Sequence, residues 1–113
     1  MNLPAAEILR GTLDRLILRA LSWGPAHGYA VARWIESATD DLLAVGEGTL
    51  YPALHRLEER GLVAAKWGAS ENNRRAKYYE LTRQGRLRLQ VEVASWERYA
   101  AAISAALVAP ALR

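Results

Sequence analysis

The segment GTLYPALHRLEERGLV, residues 48–63, places chemically different side chains on two sides of one helix. Leu50, Leu54 and Leu57 are spaced four and three residues apart, so they form a single apolar stripe and are assigned to the core. Opposite them stand Thr49, Pro52, His55, Arg56 and Glu59, with Tyr51 on the flank. Hydroxyl, imidazole and guanidinium groups together offer donors and acceptors of several geometries, a more varied face than the usual Lys/Glu solvent surface. A second set lies downstream, where Asn72, Asn73, Arg74, Arg75 and Lys77 crowd cations into a short polar span. Such a cluster suits a polyanion, and its ordinary alternative is a solvated charged turn.

The charge distribution supports the same interest. The net charge is +3, but residues 1–60 carry six Lys/Arg against eight Asp/Glu (−2) and residues 61–113 carry nine against four (+5). Between Lys66 and Arg88 seven basic residues meet only Glu71 and Glu80. No cysteine is present, which excludes disulfides, zinc-thiolate sites and thiol catalysis. Two histidines without an acidic cluster at ligand spacing give no expectation of a metal site, and no cofactor is expected. No Ser/His/Asp set and no glycine-rich phosphate loop point to an enzyme. The longest uncharged run, YAAAISAALVAPAL (99–112), is too short and alanine-rich to span a bilayer, and the first residues lack a leader-like pattern. A cytoplasmic protein without a membrane partner is expected.

These residues need elements to hold them, and 113 residues with 51% hydrophobic content suffice for one folded domain. Residues 5–22 place Leu9, Leu13, Leu16, Ile17, Ala20 and Leu21 at helical spacing, predicting a first helix that starts near Pro4 and ends at Gly24 and Pro25. A short second helix follows, with Val31, Ala32 and Ile35 inward. His27 and Gly28 stand at its start, His27 as a cap or buried hydrogen-bonding residue and Gly28 permitting close helix approach. TDDLLAVGEG is a connection. Pro52 belongs in a first turn, which sets the start of the third helix near Gly48 or Thr49, and Gly61 stops it. The period then changes to two: residues 62–68 and 76–82 read as strands around a polar turn in which Asn72 and Asn73 can adopt positive φ. Tyr78 and Tyr79 must face opposite sides of their strand, one inward and one out.

Thr82 is a good N-cap for a last helix from Arg83, within which Gly85 costs about 1 kcal/mol relative to alanine. In that helix Leu89, Val93, Trp96, Ala100, Ile103 and Leu107 follow spacings of four and three in alternation, the pattern of a coiled-coil seam. A seam of this length predicts self-dimerisation; the alternative is packing on the first helix of the same chain.

Helix, helix, helix and basic hairpin is the order of a winged helix-turn-helix, a mainly α (α+β) fold whose third helix enters a DNA major groove. Here residues 1–82 would form the DNA-binding body and 83–113 the dimerisation helix. The segments HGYAVARWI (27–35), GTLYPALHRLEERGLV (48–63) and NRRAKYYELTRQGRLRL (73–89) resemble the signature segments of the PadR family of bacterial transcriptional regulators. The resemblance implies a cytoplasmic homodimer that represses transcription at a near-palindromic double-stranded DNA operator. It further implies a short subgroup with one C-terminal dimer helix, some members of which take flat aromatic effectors beside a tryptophan, the place of Trp96 here. Thr49, Tyr51, Pro52, His55 and Arg56 would then form the reading surface, Arg56 pairing with guanine or a phosphate. Asn72, Asn73, Arg74, Arg75 and Lys77 would be the wing's backbone or minor-groove contacts. Tyr51 has an alternative in packing against the wing, and Trp96 in simple interface packing. The competing function is a winged helix used only for protein contacts.

Overall fold

The computed structural model describes residues 10–69 and 72–112. Helix α1 (Arg10–Leu21) is followed by strand β1 (Ala26–His27), helix α2 (Gly28–Ala38) and helix α3 (Glu47–Glu59). Strands β2 (Val63–Ala69) and β3 (Arg75–Leu81) then form a hairpin, and helix α4 (Arg83–Leu107) follows. The expected start of the first helix near Pro4, and Leu9 of its stripe, lie outside the described residues. This is the expected winged helix-turn-helix: among the described residues, four helices and a small antiparallel sheet.

The helices pack by the stripes their sequences carry. Leu13, Ile17, Leu18 and Leu21 of α1 meet Val31 and Ile35 of α2 and Leu50, Ala53, Leu54 and Leu57 of α3, all buried in one cluster. Val63, Tyr79 and Leu81 close that cluster from the sheet and Leu89 from α4. Between α2 and α3, Asp40 and Asp41 both take left-handed φ, 50° and 63°, which short carboxylate side chains tolerate better than most. There the Thr39 hydroxyl donates to the Ile35 carbonyl at 2.9 Å and accepts from the Leu43 amide at 3.1 Å.

Helix α3 begins earlier than expected. Gly46 is its N-cap, the amides of Thr49 and Leu50 donating to the Gly46 carbonyl at 3.1 and 2.9 Å. Pro52 therefore stands in the second turn, where its ring withholds the donor that the Gly48 carbonyl would otherwise receive. The helix keeps its path because each turn around that single missing bond is held by its neighbours and by buried Leu50, Ala53 and Leu54. Its end is a Schellman turn: Gly61 at φ 75° lets the Leu62 amide reach the Leu57 carbonyl, and its own amide reach Glu58, each at 3.0 Å.

The sheet has three strands in the order β1-β3-β2, not the two of a bare hairpin. Ala26 and His27 pair with Tyr79 and Tyr78. Two residues are too few to show a strand period, so only the free edge of β3 makes them one. The hairpin register runs from Val63 opposite Leu81 to Ala69 opposite Arg75, and Asn73 supplies the left-handed φ of 57° at the turn. Tyr79 is the inward tyrosine; Tyr78 faces the other way and donates its hydroxyl to the Ala69 carbonyl at 3.0 Å. Thr82 caps α4 as expected, its hydroxyl accepting from the Gly85 amide at 3.0 Å. The same hydroxyl donates to the Gly61 carbonyl at 2.6 Å. One side chain thus joins the end of α3 to the start of α4.

Candidate nucleic-acid interface

Helix α3 presents Thr49, Tyr51, Pro52 and His55 to solvent, with Arg56 half-buried beside them and Leu50, Leu54 and Leu57 fully inside. His55 Nε2 lies 3.5 Å from Glu59 Oε1, one turn along the same exposed face. Tyr51 leans across to the start of α2: a Cβ on Gly28 would stand 2.6 Å from its Cε1. It therefore packs against the first turn of α2. Partial burial, followed by the nearby Glu47 carboxylate, pushes the Tyr51 hydroxyl above its ordinary value of 10.0. It remains a proton donor at neutral pH.

His27 is a cap. The Ala30 amide donates to its Nδ1 at 3.1 Å, and its ring stacks on Tyr29 and meets the edge of Tyr78. Next to it, Arg33 Nη1 donates to the Tyr29 hydroxyl at 3.1 Å, and that interaction raises the guanidinium pKa further above its ordinary value. Tyr29, Arg33, Tyr51, Asn72 and Lys77 line one open cleft of about 910 Å³ between α2 and the wing. Among the described residues no carboxylate lines it.

On the wing, Asn72, Asn73, Arg74 and Arg75 are exposed. Lys77 is more engaged than its sequence position suggests: its Nζ lies 3.7 Å from Glu58 Oε1 and ties the wing to α3. Sequence reasoning also missed the stack of Arg75 on Trp67, whose guanidinium carbon lies 4.3 Å from the indole centroid. Cross-strand register was the available signal, because Arg75 and Trp67 fall on one face two residues out of step.

The predicted seam of α4 divides in two. Leu89 is buried in the chain's own core, whereas Val93, Trp96 and Ile103 are each more than two-fifths exposed and Leu107 is 81% exposed; Ala100 lies half-buried between them. The near half meets α1, where Arg15 Nε approaches Glu92 Oε2 at 2.8 Å and the Arg15 guanidinium lies 5.7 Å from the Trp96 ring centre. The Arg15 N–H is not aimed at the oxygen, so the contact is a charge pair without an aligned hydrogen bond. Arg88 Nε donates to the other oxygen of Glu92 at 2.8 Å. Arg15, Leu16, Leu43, Val93 and Trp96 help wall a largely apolar cavity of about 340 Å³. The far half of the stripe has no partner among the described residues of this chain.

A tri-helical core, a half-exposed third helix of mixed chemistry and a basic hairpin define a winged helix-turn-helix of the transcription-regulator class. The chain belongs to the PadR-like family of transcriptional regulators, whose pattern matches residues 17–91. Uncharacterized protein X of Lysinibacillus sphaericus is 32% identical over 91 residues, covering 80% of this chain and 84% of that one. A transcriptional regulator from Clostridium thermocellum superposes with a TM-score of 0.78 at 31% identity, over 90% of this chain and 96% of its own. A PadR-like transcriptional regulator from Bacillus cereus gives 0.78 at 26% identity, over 92% and 99%. Members of this family regulate transcription; the protein is a transcriptional regulator and not an enzyme. No helix among the described residues is long and apolar enough to cross a membrane.

Proposed function

We propose that the protein is a cytoplasmic repressor that binds a near-palindromic DNA operator as a homodimer and is released by a flat aromatic effector. The observation that carries this reading is the exposed face of α3, where Thr49, His55 and Arg56 stand beside a wing bearing Arg74 and Arg75. Thr49, Tyr51, Pro52, His55 and Arg56 read the major groove. Asn72, Asn73, Arg74, Arg75 and Lys77 hold the backbone, Lys77 also bracing the wing on Glu58. Residues 1–82 act as the reading body and residues 83–113 as the dimer arm. The uncovered stripe from Val93 to Leu107 supports self-association, and the apolar cavity beside Trp96 supports the effector.

The competing reading, a winged helix that contacts only proteins, draws on the pairing of Lys66 with Glu80 and Lys77 with Glu58, which offsets positive charge on the wing. Binding to duplexes selected from a random pool, measured at two salt concentrations, separates the two. A regulator selects a consensus with dyad symmetry, and its affinity falls steeply with salt as counterions return to the backbone. Absence of any enriched, salt-sensitive sequence leaves only the protein-contact reading.

A further inference from the structure

Strands β2 and β3 set Val63, Ala65 and Trp67 on one face of the sheet, opposite Leu81, Tyr79 and Lys77. That face begins in the core, where Val63, Tyr79 and Leu81 are buried. One step outward, Lys77 reaches Glu58, so the face looks onto α3. At the same level Trp67 is 57% exposed, and Arg75, one pair nearer the tip, sets its guanidinium carbon over the indole. At 4.3 Å this is the shortest cation-aromatic contact among the described residues; the others span 4.9–5.8 Å.

The chemistry of the partners sorts these cations. Lys66, on the opposite face, is matched by the carboxylate of Glu80 at 3.9 Å, and Lys77 by that of Glu58. A carboxylate holds a cation and offsets part of its charge. An aromatic face holds a guanidinium by its quadrupole and leaves the charge and the planar N–H edge available. Arg75, with no carboxylate partner among the described residues, is therefore held on the face of the wing that looks toward α3.

We propose that Trp67 is a positioning residue for DNA binding, its indole fixing the Arg75 guanidinium for a backbone phosphate beside the major groove entered by α3. This rests on the regulator reading. Without the indole, Arg75 must give up rotamer freedom on binding, and part of its contribution is lost.

The test is a double-mutant cycle on full-length protein, with affinities for a duplex selected by the wild type and for an unrelated duplex at fixed salt. Trp67→Leu keeps apolar bulk and removes the π face; it weakens binding to both duplexes about five-fold, while Trp67→Phe stays within about two-fold of wild type. In the double variant Trp67→Leu, Arg75→Ala the loss equals that of Arg75→Ala alone. Wild-type affinity for Trp67→Leu, or losses that multiply in the double variant, overturns the proposal. Should Trp67→Leu not fold, 5-fluorotryptophan labelling supplies the second measurement. The fluorine resonance shifted by Arg75→Ala is expected to be one that DNA also shifts, and a resonance unmoved by DNA overturns the proposal. A wild-type protein that binds neither duplex removes the regulator reading itself and the role of Trp67 with it, a result distinct from all of these.

Discussion

At the scale of residues, two glycines show how one amino-acid type serves two purposes. A Cβ on Gly85 would fall almost on the carbonyl oxygen of Leu62, where the Thr82 hydroxyl fastens α4 to the Schellman turn of α3. Because that neighbour is backbone, the clash outweighs the roughly 1 kcal/mol of helix propensity gained by alanine. Gly85→Ala is expected to destabilise the protein by about 1–3 kcal/mol in denaturant unfolding, the usual range for overpacking. A Cβ on Gly28 meets instead the far end of Tyr51, a side chain that can swing away. Gly28→Ala should leave stability nearly unchanged and weaken DNA binding through a displaced Tyr51; equal effects in both assays would count against that placement. Arg56 and Arg75 divide differently. Arg56→Ala is expected to relax base preference by about 1–3 kcal/mol, whereas Arg75→Ala weakens binding to every duplex and reduces the salt slope by about one. Identical profiles for the two variants would abolish the division between reading and holding.

At the scale of elements, α4 divides one stripe between a packed half and an exposed half. Its first turns belong to the body: Leu89 is buried, and Glu92 is gripped by Arg15 and Arg88. Beyond Trp96 the helix runs on through Ile103 and Leu107, both exposed. Burying such residues stabilises an assembly by about 25 cal/mol per Å² of apolar surface. Ile103→Asp places a charge in that stripe while touching little of the chain's own core, so light scattering should report monomers with an unfolding midpoint close to wild type. Operator affinity should fall by about two orders of magnitude, since half-sites one DNA turn apart gain their strength from simultaneous engagement. A variant that remains dimeric would place the seam elsewhere on the helix. The alternative of packing on α1 is itself half realised, because the Arg15–Glu92 contact uses the near end of the same helix.

At the scale of the whole molecule, the chain extends 65 Å in its longest direction against 33 and 20 Å in the others. The core stripes, the stop at Gly61, the cap at Thr82 and the hairpin at residues 62–82 were legible in the sequence because each rests on local periodicity or a terminal residue. The order of those elements was enough to indicate a winged helix and its family. What escaped was set by distant partners. The start of α3 at Glu47 was misplaced because Pro52 signals a first turn only when nothing else holds the helix around it. Strand β1 exists because β3 offers an edge, and Tyr79 rather than Tyr78 points inward because the core lies on that side. Lys77 is drawn to Glu58, and Arg75 to Trp67, by a fold that brings the wing against α3. Local sequence determined which segments could be helix, turn or strand, since those choices depend on neighbours a few residues away. Tertiary structure alone decided which charges are cancelled and which stay available to a ligand, because that depends on what stands across the gap.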